Sequence, residues 1–392
     1  MSETGISKSS LDVLYLAGCA LKRQAPEAMV AAGMNQRELY HTARFHMMTA
    51  IVCMGLEAVK FWEDMPADVR ARWQEEKNRA IRKNMLLDAE CRQILGFMEE
   101  QGIWHMPLKG ILLKELYPRY GMRQMADNDI LFDAAYADQL KEYMRKRGYK
   151  AESFGKGNHD TYLKPPVYNF ELHRQLFGTA HDPAWARYYA NARERLIRDE
   201  DSAYGYHFSD EDFYVYLILH AYKHFDGGGT GLRTLMDCYV YVRKKGETLD
   251  WDYIETEAGR LGIGDFERRC RELGRKLFWD PQGLYEQTWT PEEEQLLAYF
   301  AGSGTYGTTK NRVERQLLAL QREGPITART RWRYYRSRIF PNLEWMKANA
   351  PFCYHHKWSI PFFVVFRAAR GAVRRGKKIR REIGIVERIC KK

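Results

Sequence analysis

The stretch GMRQMADNDILF, residues 121–132, sets two aspartates one residue apart at the mouth of an apolar run. A strand sends residues i and i+2 to the same face. Asp127 and Asp129 therefore project together, while Ile130 and Phe132 face the other way, toward a core. Two carboxylates a few ångströms apart repel unless a cation lies between them. Hard oxygen ligands suit Mg²⁺ or Mn²⁺. The plainer reading of a bare Asp-x-Asp is a solvated strand start whose carboxylates make Asx-turns or helix caps.

The neighbouring sequence adds to the pair. Upstream, IWHMPLKG reads as a short strand running into a turn at Lys109-Gly110, and GILLKELY as a two-turn helix stopped by Pro118. A glycine at such a turn lets backbone approach a phosphate, and Lys109 adds positive charge. Downstream, AAYADQLKEYMRKRG reads as a helix closed by Gly148. YKAESF, HDTYLK and VYNFELHRQL then alternate like strands. The last carries Glu171 between Phe170 and Leu172, a third carboxylate whose neighbours face a core. His173 shares its face. Carboxylates on adjacent strands beside a glycine turn form a plausible two-metal phosphoryl-transfer site.

Helical periodicity surrounds this region. Residues 8–84 read as helices, as do DEDFYVYLILHAYKHF, LRTLMDCYVYVRKKG and stretches within 251–279 and 291–322. The expected division is an N-terminal helical segment at 1–84, an α+β core at 85–205, a helical domain at 206–330 and a C-terminal helical segment with a basic tail at 331–392.

Composition bounds the rest. The 392 residues are 45% hydrophobic and 14% aromatic, which excludes a disordered chain. Net charge is +11, but the segment from Arg367 to Lys392 carries about +9 of it, so the body is nearly neutral. Seven widely spaced cysteines without a CxxC argue against a disulfide framework and for a reducing, cytoplasmic setting. The N-terminus lacks the pattern of a secretory signal, and no apolar run is long enough for a transmembrane helix.

The order PLKG, then LYPRYGMRQMADNDILF, then NFELHRQL resembles the nucleotidyltransferase superfamily with the polymerase-β-like fold. More narrowly it resembles a poorly characterised bacterial nucleotidyltransferase family with a Lys-Gly turn and an Arg-x-x-x-Asp-x-Asp strand. HAYKHF…GGGTGLRTLMDCYVY extends the likeness over roughly residues 35–245. The resemblance implies an α+β core with a small mixed sheet, flanked by N- and C-terminal helical segments. It implies Mg²⁺-dependent (or Mn²⁺-dependent) transfer of an NMP from an NTP to an acceptor, with release of pyrophosphate. Asp127 and Asp129 would hold metal on the triphosphate. Glu171 would complete a second metal site and deprotonate or orient the acceptor hydroxyl. Lys109 and Gly110 would contact the β and γ phosphates. Arg123 would bind phosphate or hold the loop by pairing with a carboxylate. His173, placed beside Glu171 by strand alternation, reads as a nucleotide contact or as a structural hydrogen-bonding residue. Two departures stand out: Ile111 follows Gly110 where the superfamily has Gly or Ser, and the third acid is Glu rather than Asp. The acceptor stays open among a small molecule, a protein and RNA. The alternative is a non-catalytic nucleotide-binding or regulatory protein on the same fold.

Other features read more simply. His220 and His224 share a helical face, with packing the favoured role. Arg233 and Asp237 can pair with each other or line a cleft. Gly227–Gly229 reads as a helix–helix turn, since the P-loop pattern is missing. The tail joins an apolar cluster, Phe362–Phe366, to a basic run. Its readings are a packed helix with a solvated end, peripheral contact with an anionic membrane, or contact with RNA.

Overall fold

The strand read after Asp127 is β2 (Asn128–Phe132) in a computed structural model that describes residues 6–60, 62–178, 182–321, 327–341, 346 and 350–390. With β1 (His105–Pro107), β3 (Lys150–Ser153), β4 (His159–Lys164) and β5 (Tyr168–His173) it forms a sheet of order β1-β2-β5-β4-β3. β2 and β5 run parallel and the other neighbours antiparallel. The mixed sheet flanked by helices is the α+β architecture expected.

Before the sheet come α1 (Lys8–Lys22), α2 (Ala28–Ala32), α3 (Gln36–Phe45), α4 (Thr49–Leu56) and α5 (Ala67–Glu100). Among the strands lie α6 (Gly110–Leu113) and α7 (Ala137–Lys146). After them follow α8 (Pro183–Tyr188), α9 (Asp210–Gly227), α10 (Leu232–Lys245), α11 (Trp251–Arg260), α12 (Gly264–Phe278) and α13 (Pro291–Ser303). α6 is a single turn continued by a 3-10 turn at Lys114–Leu116, shorter than the two-turn helix expected. Tyr117 is extended, as a residue before proline prefers, so the helix stops early.

One face of the sheet makes the core. Ile130 and Phe132 of β2, Phe170 and Leu172 of β5 and Tyr162 of β4 are buried against Leu87, Cys91, Ile94 and Met98 of α5 and Leu140 and Met144 of α7. The α5 residues recur at spacings of three and four, the stripe that lets a long helix lie on a sheet. Each such side chain contributes about 1.5–3 kcal/mol on burial. With the core face fixed, strand alternation sends Asp129, Glu171, His173, Thr161 and His159 to the opposite face.

Contacts gather the chain into two units, Met1–Tyr222 with Gly231–Thr305, and Lys223–Thr230 with Tyr306–Lys392. The first contains the sheet. In the second, α14 (Thr309–Leu320), α15 (Ala328–Ile339) and the end of a long C-terminal helix, Ile360–Ile389, bury Val313, Leu317, Tyr334, Ile385 and Val386 together. Glu382 accepts hydrogen bonds there from Tyr334 Oη (2.6 Å) and Arg338 Nε (2.7 Å). The C-terminal helix is kinked at Arg375. Gly228 lies against Gly307, and its carbonyl accepts from Thr308 N, as a packed turn between helices would. All seven cysteines are free. Among the described residues no helix is long and apolar enough to cross a membrane.

Candidate active site

Parallel pairing of β2 with β5 sets Asp129 directly beside Glu171, and Leu131 beside His173. Antiparallel pairing of β5 with β4 sets His159 beside His173 and Thr161 beside Glu171. Register alone thus gathers a carboxylate from each of two strands and an imidazole from each of two on one face.

Asp129 is buried, and its Oδ1 accepts from Lys109 Nζ at 2.7 Å and bonds His173 Nε2 at 2.8 Å. Burial alone would raise its pKa; the Lys109 charge and the His173 hydrogen bond reverse this and hold the carboxyl well below the usual range. Burial alone would lower the Lys109 pKa; the Asp129 charge and hydrogen bond, with Tyr216 and Asp127, together lift it above the ordinary lysine value. Asp127, half-buried just before β2, differs. Burial first, and the neighbouring Asp129 charge second, push its pKa up, against the pull of Lys109, Arg233 and Arg123. Among the described residues it accepts no hydrogen bond.

The turn at Lys109 is strained. Lys109 has φ 46° and ψ −111°, a region L-residues rarely occupy. That conformation accompanies the contact of its ammonium with Asp129. Gly110 is needed for packing: a Cβ there would lie 2.7 Å from both Arg123 Nη1 and Met125 Cε. The expected approach of Gly110 to a phosphate therefore competes with these side chains.

Arg123 takes the second of its two expected roles. Its Nε and Nη2 donate to Asp237 Oδ1 and Oδ2 at 2.8 and 3.0 Å, a bidentate pair with both side chains under 10% exposed. Tyr117 Oη donates to the same carboxylate at 2.7 Å. Asp237 thus pairs with Arg123 rather than with Arg233, whose Nη1 donates to the Gln124 carbonyl. The loop before Asp127 is pinned further by Asn84, bonded to Arg123 O and Met125 N, and by Lys83 Nζ on Ala126 O. Gly121, at φ 87°, leaves room for Ile81, which a Cβ would meet at 2.4 Å.

The family model described as uncharacterised nucleotidyltransferase matches residues 32–278, more than half of the chain. The chain belongs to this nucleotidyltransferase family. No curated protein and no solved structure matches it.

Asp127 and Asp129 are hard oxygen donors, the type a divalent cation such as Mg²⁺ or Mn²⁺ takes, Asp129 buried and Asp127 half-buried. Among the described residues neither Asp127 nor Asp129 Oδ2 accepts a hydrogen bond. Glu171 keeps other company. Its Oε2 is 3.5 Å from His159 Nε2 and 3.7 Å from His173 Nε2. Among the described residues these three form the group with metal-ligand spacing, and neither aspartate joins it. His220 and His224 lie outside it also. The sequence pattern leaves out His159 and Lys83, and it does not say that the carboxylate Arg123 pairs with is that of Asp237. Only the β4–β5 register brings His159 in. Lys83 and Asp237 come from helices whose sequence gives no sign of this loop.

Proposed function

We propose that the protein transfers an NMP from an NTP to an acceptor hydroxyl, releasing pyrophosphate. In that reaction the bond from the acceptor oxygen to the α-phosphorus forms as the bond from that phosphorus to the β-bridging oxygen breaks. The observation that carries the reading is the in-register pairing of Asp129 with Glu171, beside an Asp127 carboxylate that accepts no hydrogen bond among the described residues. Asp127 and Asp129 would hold a divalent cation on the triphosphate. When bound, that ion neutralises phosphate charge and polarises the phosphoryl group. Lys109 fixes Asp129 and places a positive charge beside the phosphates. Glu171 orients the acceptor hydroxyl and takes its proton, and His173 steers Asp129. Arg123 and Asp237 brace the loop that presents Asp127.

The test is calorimetric titration of each NTP with Mg²⁺ into wild type and Asp127→Ala/Asp129→Ala, followed by a pyrophosphate-release assay. Wild type is expected to bind nucleotide and the double variant not. Equal binding by both would remove the site. A second reading, nucleotide binding without transfer, is favoured by one observation: Lys109 and His173 already engage Asp129 Oδ1. Binding without pyrophosphate release for any class of acceptor would decide for it.

The C-terminal helix supplies a partner surface. Phe362, Val365, Phe366 and Val373 are 61–87% exposed and recur at helical spacing, and Trp358 in the turn just before the helix is exposed too. Arg367, Arg370 and Arg374 share the segment. An exposed apolar stripe with cationic flanks fits an anionic membrane surface better than RNA, which needs the charge and leaves the stripe in water. Phe362→Ser/Phe366→Ser should weaken binding to phosphatidylserine vesicles about tenfold or more, since each buried phenyl contributes about 1.5–3 kcal/mol. No vesicle binding by wild type, or RNA binding indifferent to the two changes, would overturn this.

A further inference from the structure

Glu171, His173 and His159 occupy neighbouring register positions on one sheet face, His159 opposite His173 and Glu171 two residues away along β5. The Glu171 Oε2 distances to the two Nε2 atoms are 3.5 and 3.7 Å, and the imidazole centroids are 5.0 Å apart. One ligand atom from each residue lies within 4.8 Å of the other two. Those separations are long for N–H···O bonds, which cluster near about 2.9 Å. They come closer to the edges of a coordination shell. Ligands about 2.0–2.1 Å from a tetrahedral metal lie about 3.3–3.5 Å from each other. Hydrogen-bonded strands fix all three Cα positions, so the set needs little rearrangement to close on an ion.

The chemistry of the donors then selects the ion. Two imidazoles with one carboxylate suit Zn²⁺, Mn²⁺ or Fe²⁺, whereas Mg²⁺ wants oxygens and near-octahedral geometry. We propose that His159, Glu171 and His173 bind one transition-metal ion of the Zn²⁺ class, at a position chemically distinct from the Asp127/Asp129 oxygens. Loading the ion sends the Nε2 proton of His173 to solvent and gives the freed lone pair to the metal, which ends the His173–Asp129 hydrogen bond and releases Asp129 Oδ1. The two positions are therefore linked through His173, one nitrogen-rich and one all-oxygen. The binding itself does not rest on the transfer reading, because it needs no nucleotide.

The experiment uses the full chain stripped with a chelator and titrated with Zn²⁺ against a colorimetric competitor, then with Co²⁺ followed by visible absorption. Wild type should take one tight equivalent more than His159→Ala or Glu171→Gln, with a loss of affinity above about 100-fold at that equivalent. The Co²⁺ ligand-field band should be present in wild type and Asp127→Asn and missing in the other two. His159 is a third exposed near the open side of the sheet, so its replacement keeps the fold, which circular dichroism checks. Equal stoichiometry in wild type and both variants, or displacement of the ion by excess Mg²⁺, would overturn the proposal. NTP titrations on the same samples read the aspartate pair, so a wild type that binds nucleotide but takes up no extra Zn²⁺ equivalent rejects this proposal alone.

Discussion

Asp127→Asn is expected to be more stable than wild type in the absence of metal and, on the proposed function, to lose most of its nucleotide transfer. The expectation follows from the asymmetry of the two aspartates. Asp129 has Lys109 and His173, whereas Asp127 has burial, the Asp129 charge and no hydrogen-bond donor among the described residues. Its folded pKa lies above its unfolded one, so its ionised form at neutral pH opposes folding. The isosteric amide removes that charge. The gain should be about 0.5–2 kcal/mol, the range of single stabilising substitutions. On the proposed function transfer should fall by about 10²–10³-fold or more, because the cation would lose a charged ligand. Saturating Mg²⁺ and NTP should then reverse the order of stability. At a hundredfold excess over the dissociation constant a ligand adds about 2.7 kcal/mol, and only wild type binds it. Thermal melts with and without Mg²⁺·NTP measure both halves. A variant less stable than wild type without ligand, or one that transfers at the wild-type rate, would refute the assignment of Asp127.

The largest stability effect is expected at Asp237. Its carboxylate accepts two hydrogen bonds from Arg123 and one from Tyr117, all out of water. Asp237→Ala leaves a guanidinium buried without its counter-ion and should cost about 3–5 kcal/mol. It should weaken nucleotide binding too, since Arg123 belongs to the loop that carries Asp127. Replacing both partners, as Arg123→Met/Asp237→Leu, should recover most of the stability, because two apolar side chains carry no desolvation cost. Nucleotide binding by the double variant then reports what the charge pair adds beyond stability. Urea midpoints at constant slope measure the first effect and calorimetry the second. An Asp237→Ala protein as stable as wild type would show that the pair does not brace the loop.

Much of this molecule is legible in its sequence because the relevant signals are local. The period-two pattern of NDILF and NFELH fixes two strands and the side of each that carries a carboxylate. The period-3.6 pattern of α5 fixes the helix that covers the other side. Glycine and proline mark where α6 and α7 stop. These are properties of a few consecutive residues, and the PLKG, Asp-x-Asp and Glu171 order is enough to point to the family. Tertiary structure decided what depends on pairing between distant segments. The parallel register of β2 with β5 puts Asp129 beside Glu171, and a shift by one residue would have turned Glu171 into the core. The β4 register brings His159 to Glu171 and His173 across a turn whose length alone does not specify it. Arg123 finds Asp237 rather than a phosphate because Gly110 leaves it room to fold inward, a fact of side-chain packing that no motif spacing encodes.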